Sequence, residues 1–141
     1  LIIEARRDWF QGYEFSSARL VTRYRGDWRY GKIEVNAKLP WGNGTWPAIW
    51  TLPVDSSYGD WPKSGEIDLM EHVGFNMDIV KSGIHCDRFN FRKPVQDQRN
   101  ADTWVPGVAQ GFHTYRLNGH LTLLSYRSTI GPLTSSTITK V

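Results

Sequence analysis

Residues 64–74 read S-G-E-I-D-L-M-E-H-V-G and place three carboxylates among aliphatic side chains. Because side chains alternate faces along a β-strand, Glu66 and Asp68 share one face. Glu71 is out of phase with them in a regular strand, but one extra residue at Met70, a β-bulge, returns it to the acidic face. The pattern therefore predicts a bulged strand with three acids on one face.

Carboxylates grouped in this way are suited to the hydrolysis of glycosidic bonds. Two carboxyls about 5–5.5 Å apart can act as the nucleophile and the acid/base of a retaining glycosidase. A third carboxyl between them can hold the nucleophile in place and help to keep the far acid protonated near neutral pH. On spacing alone, a solvent-facing strand that happens to be acidic is the better interpretation.

The flanking residues favour the catalytic interpretation. The segment G-E-I-D-L-M-E-H, residues 65–72, resembles the bulged signature of glycoside hydrolase family 16, Glu-x-Asp-x-x-Glu. By this resemblance Glu66 is the nucleophile, Asp68 assists it and Glu71 is the acid/base. The bulged form is similar to that of laminarinases, agarases and carrageenases, whereas lichenases have one residue fewer. The continuation E-H-V-G is most similar to bacterial laminarinases, which cut β-1,3-glucan.

The same resemblance implies the fold. It extends over residues 1–117 and implies an all-β, concanavalin A-like β-jelly roll, in which two antiparallel sheets form a sandwich with the substrate cleft on the concave sheet. The composition agrees, since 141 residues suit one domain and the chain has seven Trp and 13 Gly. We expect residues 1–117 to be a partial catalytic domain, incomplete at both ends.

A second motif supplies candidate sugar-binding residues. Residues 44–50, G-T-W-P-A-I-W, resemble the tryptophan element that borders the cleft in the family. Pyranose rings have apolar faces that stack on indoles, and Trp also offers an N–H donor. Two Trp four residues apart are by themselves more often core residues, but the nearby acids favour Trp50 and Trp46 as platforms. Trp61 is a weaker candidate for the same wall.

The remaining strands are predicted from alternation. Residues 32–39 alternate strictly between apolar and polar side chains, which predicts a half-buried strand. Residues 1–5 and 80–87 also read as strands, and residues 88–111 read as a long polar excursion. His85 lies on the strand that follows the acids. It is equally consistent with a structural role and with a hydrogen bond to substrate or to a carboxylate.

The resemblance stops at residue 118. Deleting one base from codons for the family sequence E-W-T-P-D gives N-G-H-L-T, which is the sequence of residues 118–122. We interpret residues 118–141 as a non-matching tail that is out of frame, the alternative being a divergent terminus. Such a tail was not selected to pair with a sheet. We therefore expect few long-range contacts and little burial of Leu123, Leu124 and Ile130.

Composition excludes several other classes of function. The net charge is +3 without a basic patch, which argues against nucleic acid as a partner, and no apolar run is long enough to span a membrane. The single cysteine, Cys86, excludes an internal disulfide. No cofactor is expected and no metal site is predicted in this chain, although a structural calcium ion in the full domain stays open.

The resulting functional hypothesis is a retaining endo-glycosidase that hydrolyses internal β-1,3 or mixed β-1,3/1,4 linkages of glucans such as laminarin. The resemblance implies a monomer with a β-glucan polysaccharide as its partner. It also implies an extracellular or periplasmic protein, although no signal peptide is visible. The alternatives are a non-catalytic β-glucan-binding protein on the same fold and an inactive enzyme fragment.

Overall fold

The computed structural model describes residues 1–94 and 97–119, together with the backbone of residues 124–129. Within these ranges the regular secondary structure is β-strand, as predicted. The strands are β1 Arg6–Phe10, β2 Tyr13–Ser16, β3 Gly31–Ala37, β4 Ala48–Thr51, β5 Glu66–Glu71, β6 Ile79–His85, β7 Arg99–Trp104, β8 His113–Gly119 and β9 Leu124–Thr129. The described residues form no helix with the length and apolarity needed to cross a membrane.

The strands form three antiparallel sheets. A four-stranded sheet has the order β4-β5-β6-β7, a three-stranded sheet has the order β3-β8-β9, and β1 and β2 form a separate hairpin. The two larger sheets enclose the hydrophobic core. Its buried members are Leu39, Leu69, Met70, Val80, Val105, Val108, Tyr115 and Leu117.

Alternation explains how the three-stranded sheet contributes to this core. In β8, His113, Tyr115 and Leu117 are buried and the residues between them are half-buried. In β3, Ile33 and Ala37 pack against the core while the polar residues between them are exposed. The half-buried strand predicted for this region is confirmed.

Two strand predictions differ from the structure. Residues 1–5 form no strand, since β1 begins at Arg6. Residues 88–111 contain β7, although the sequence of that strand, R-N-A-D-T-W, is polar. β7 pairs with β6 through six residue pairs from Ile79–Trp104 to Ile84–Arg99. Backbone pairing with a neighbouring strand stabilises it where the side-chain pattern gives little signal.

The start of the tail also differs from expectation. The backbone of β9 pairs with β8 through six residue pairs, from Thr114–Thr129 to Gly119–Leu124. Any residue except proline can donate a backbone hydrogen bond, so the edge of β8 can pair with residues 124–129, which contain no proline, whatever their side chains. The predicted exposure of Leu123, Leu124 and Ile130 lies outside the described residues. The out-of-frame interpretation of residues 118–141 stays a prediction.

A close contact between two loops fixes the approach to the acidic strand. After β5 the chain turns, and the amide of Gly74 donates a hydrogen bond of 2.9 Å to the carbonyl of Thr45. A Cβ atom at Gly74 would lie 1.8 Å from the carbonyl oxygen of Gly42 and 2.7 Å from its carbonyl carbon. Because both neighbours are backbone atoms, only glycine fits at residue 74.

We therefore expect Gly74→Ala to separate these loops and to lower the free energy of unfolding by about 1–3 kcal/mol, as overpacking does. Gly111→Ala is the matched control, because a Cβ atom there meets nothing within 4 Å and its φ is not in the left-handed region. Urea denaturation of the two variants measures the difference. Equal free energies of unfolding for Gly74→Ala and Gly111→Ala would contradict the close contact between residue 74 and the Gly42 carbonyl.

His72, just after β5, is fully buried. Its amide donates to the carbonyl of Pro47, but among the described residues neither ring nitrogen has a hydrogen-bond partner. Burial lowers the pKa of His72, and the negative charge of Asp78 opposes this shift only in part. The folded protein therefore holds this imidazole in its neutral form.

The lowered pKa makes the stability dependent on pH. Unfolded histidine titrates near pH ~6.5, so the contribution of His72 is complete above that pH and is lost as the pH falls towards the lower folded value. His72→Leu removes the titrating group, and we expect it to flatten the dependence of the unfolding free energy on pH below about 6.5. Denaturation curves at several pH values test this. An unchanged slope would show that His72 does not titrate in this window.

Candidate active site

The acidic strand β5 contains the predicted irregularity. Towards β6, Asp68 pairs with Gly83 and Glu71 pairs with Lys81. Three residue steps in β5 are thus matched by two in β6, so β5 accommodates one extra residue between the two acids. The β-bulge predicted from the spacing is confirmed.

The bulge involves Leu69 as well as Met70. Towards β4, Met70 pairs with Ile49 and Asp68 with Trp50, so Leu69 is the residue without a counterpart. Leu69 and Met70 are each only 1 % exposed and both belong to the hydrophobic core. Two consecutive side chains on the core side are what return the next residue to the acidic face.

Registers across the four-stranded sheet place the acids on one face in three rows. Directly paired residues on neighbouring strands point to the same side of a sheet. The first row contains Glu66 and His85; the second contains Trp50, Asp68, Gly83 and Asn100; the third contains Ala48, Glu71, Lys81 and Asp102. We refer to this side as the acidic face.

An indole N–H is directed at each of the two outer glutamates. Trp61 Nε1 donates to Glu66 Oε2 at 2.5 Å, and Trp46 Nε1 donates to Glu71 Oε1 at 3.1 Å. Both tryptophans come from loops before a strand, one on each side of the acids. Each carboxyl group therefore has a donor that restricts its orientation without introducing a positive charge.

Asp68 lies between the glutamates and is 4 % exposed. Its Oδ2 atom is 3.3 Å from His85 Nε2. Burial is the largest cause that raises the pKa of Asp68, followed by the negative charges of Glu66 and Glu71 and a hydrogen bond with Glu66; together they raise it to about 8. Asp68 is therefore mainly protonated at neutral pH.

An aromatic cluster includes Trp61, which donates to Glu66, and His85, which lies beside Asp68. The ring centroids of Trp61, His85 and Phe91 lie 5.2–5.7 Å from one another. The guanidinium of Arg92 lies 4.9 Å from the centroid of Trp61. Phe91 and Arg92 belong to the loop after β6, where buried Asn90 accepts a hydrogen bond from the Arg92 amide.

A pocket of about 360 Å³ opens beside Glu66. Trp50 and Trp61 line it together with Arg23 and the loop of residues 52–56. The guanidinium of Arg19 lies 4.6 Å from the Trp50 ring centroid. An indole wall next to a carboxyl group provides both surfaces that a sugar ring requires, an apolar face to stack on and polar atoms at its edge.

The structure brings the predicted site residues together. Glu66, Asp68 and Glu71 share the acidic face with Trp50 and His85, and Trp46 and Trp61 contact the outer acids. The sugar-binding roles of the three tryptophans and His85 stay predictions. Sequence analysis missed a set of neighbours on the same face or at its rim, namely Lys81, Phe91, Arg92, Asn100, Asp102 and Trp104.

The donor atoms of Glu66, Asp68 and His85 lie within 4.8 Å of one another. This closeness follows from their positions on paired strands and from the contact between Asp68 and His85, so it does not by itself assign a metal. The structural calcium ion that the family resemblance leaves open concerns the full domain.

Comparison with known proteins agrees with this geometry. The family described as "XgeA-like, catalytic GH16 domain" matches residues 19–110. A beta-glucanase of Rhodothermus marinus is 49 % identical over 119 residues, covering 83 % of this chain and 41 % of the relative. A beta-1,3-glucan-binding protein of Penaeus monodon is 41 % identical over 113 residues, covering 73 % of this chain and 30 % of the relative.

The fold is likewise shared with a solved enzyme. The laminarinase from Rhodothermus marinus superposes with a TM-score of 0.84 at 42 % identity, covering 90 % of this chain and 51 % of that one. The predicted β-jelly-roll fold, here part of a domain, is confirmed. The chain spans about half the length of this structure and less than half of the two relatives. The chain belongs to glycoside hydrolase family 16.

Proposed function

We propose that this protein is a retaining endo-glycosidase that hydrolyses internal β-1,3 linkages of glucans such as laminarin, with mixed β-1,3/1,4 linkages as further substrates. The proposal rests chiefly on one observation, the three carboxyls on the acidic face with an indole N–H bonded to each outer one. The relative named beta-glucanase and the solved laminarinase support the choice of substrate.

In the proposed mechanism Glu66 attacks the anomeric carbon while Glu71 protonates the departing glycosidic oxygen. The resulting glycosyl ester on Glu66 is then hydrolysed by a water molecule from which Glu71 removes a proton. The bond from Trp61 restricts the Glu66 carboxylate to one orientation. Such positioning matters because small misplacements of reacting groups cost orders of magnitude in rate.

Asp68 has a different task in this scheme. A protonated carboxyl between two glutamates adds no third negative charge to the acidic face and can donate a hydrogen bond to the Glu66 carboxylate. The raised pKa of Asp68, about 8, supports this role, since the group retains its proton at the pH at which Glu66 must be ionised to attack.

The surroundings suit a long neutral polysaccharide. Trp50 and Trp61 border the pocket beside Glu66, whereas Trp46 is 68 % exposed beside Glu71. Apolar ring faces on both sides of the acids allow sugars to bind on both sides of the cleaved bond. Because a polymer of this kind does not cross a membrane, we also propose that the protein acts outside the cytoplasm.

A glucan-binding protein without catalysis is the second candidate, favoured by the similarity to the Penaeus monodon protein. Binding alone requires the aromatic wall but does not require two acids, each held by its own donor, or a protonated acid between them. The arrangement of Glu66, Asp68 and Glu71 therefore supports the enzyme.

Substitution of the two glutamates tests their roles in the full-length protein that contains this chain. We expect Glu66→Ala to abolish hydrolysis of laminarin and azide to restore turnover with an inverted product, because azide replaces the nucleophile. Glu71→Ala should slow hydrolysis of laminarin about 10²–10⁴-fold while sparing aryl glycosides whose leaving group needs no proton. Reducing-sugar release and NMR of the product anomer are the measurements.

The opposite pattern, with azide rescue in Glu71→Ala, would reverse the two assignments. If the wild-type protein binds laminarin in affinity electrophoresis but releases no reducing sugar, the binding protein is the correct function.

Asp68→Asn tests the protonated acid. In the wild type the unfolded carboxyl ionises near pH ~4 and the folded one at about 8, so stability falls as the pH rises through this window. We expect Asp68→Asn to remove this loss, so that its stability relative to wild type rises by on the order of 1 kcal/mol per pH unit. The pH–activity profile of Asp68→Asn should shift, whereas its KM should change little.

Asp60→Asn, in an exposed loop, is the control for a general effect of removing an aspartate. Denaturation at pH values from 4 to about 8 compares the three proteins. If the free energies of unfolding of wild type and Asp68→Asn differ by the same amount at every pH in this range, Asp68 is ionised in the folded state.

A further inference from the structure

Lys81 is the cross-strand neighbour of Glu71. The two residues pair directly between β5 and β6, and Asp102 on β7 is the next residue in the same row. Side chains in such pairs lie on one face with Cβ atoms about 4.5–5.5 Å apart, so a lysine ammonium can reach the carboxyl of its neighbour. A cation is thus placed beside the group that is proposed to donate a proton.

Among the described residues, the ion pair given for this ammonium is nevertheless with Asp102. Lys81 Nζ lies 3.1 Å and 3.2 Å from the two carboxylate oxygens of Asp102. The hydrogen bond that the structure gives to the Glu71 carboxyl comes from the neutral indole of Trp46. The side chains of Lys81 and Asp102 are 43 % and 54 % exposed, so their ion pair is reachable by solvent and salt.

We propose that Asp102 is a positioning residue that holds Lys81 away from Glu71 and so preserves the ability of Glu71 to carry the proton it donates. This inference rests on the proposed function. An ammonium in contact with a carboxyl favours the ionised form of that carboxyl, and an ionised Glu71 cannot protonate a leaving group. Asp102 supplies a competing carboxylate in the same row.

The other charged and polar groups around Glu71 also influence its protonation and are named here. On β5, Glu66 and Asp68 belong to the same acidic face; on the β4 side, Ala48 carries no charge and Trp46 donates its N–H. His85, on β6, pairs with Glu66 in the far row. Exposed ion pairs contribute about 0–1 kcal/mol, which corresponds to less than about one pH unit.

Asp102→Asn tests the inference because it removes the charge and keeps the size. In this variant Lys81 is free to approach Glu71, and we expect the alkaline limb of the kcat/KM profile to move down by about 0.3–0.7 pH unit. The rate on the acid side of the optimum should be retained. The double variant Lys81→Met with Asp102→Asn should restore the wild-type profile, and Asp102→Glu should resemble wild type.

A uniform loss of rate at all pH values in Asp102→Asn, or a shift that persists when Lys81 is also replaced, would overturn the inference and leave Asp102 with a structural role. NMR titration of the Glu71 side-chain carboxyl carbon gives a readout that does not need turnover. Its midpoint should fall in Asp102→Asn and return in the double variant. If no glucan is hydrolysed by wild type, the proposed function fails, whereas an unchanged midpoint contradicts this inference alone.

Discussion

Repulsion between three carboxyl groups on one strand is the constraint on which the site depends. Glu66, Asp68 and Glu71 point to the same face within six residues, and the central group is buried. Three negative charges at this separation in a partly dry environment are unfavourable. Burial is the largest cause that raises the pKa of Asp68, and the charges of Glu66 and Glu71 add to it, so Asp68 holds a proton and one of the three charges is removed.

The groups that contact the outer acids are consistent with this constraint. Trp46 and Trp61 provide neutral N–H donors, which orient a carboxyl group without the strong bias towards ionisation that an ammonium or guanidinium exerts. Cations are present nearby, but their contacts lie elsewhere: Arg92 lies over the ring of Trp61, and Lys81 is bonded to Asp102. The charge on the acidic face thus also depends on the neutral indole donors and on the residues that bind the nearby cations.

Much of this site could be predicted from sequence because it depends on local rules. The parity of strand positions required a bulge before Glu71, and the tryptophan motif predicted that Trp50 lies near the acids. The neighbours contributed by β7 and by the loop before it could not be predicted. Asp102 lies in a polar segment without apolar alternation, and Phe91 reaches Trp61 only because the loop around Asn90 folds back. Their positions depend on pairing and turn formation between distant segments, which side-chain patterns do not encode.

Because of the bulge, the acidic segment can lose one residue without moving an acid to the other face. A regular strand with acids at alternate positions presents the same three groups and is one residue shorter than the bulged strand. Loss of the codon for Leu69 or for Met70 would therefore leave the chemistry of the acidic face in register and remove one of two adjacent buried side chains from the sandwich. A single-residue insertion or deletion, usually disruptive in a strand because it exchanges the two faces, is here a change in core volume. Genes with either spacing can thus diverge by one codon while the same three acids remain in use.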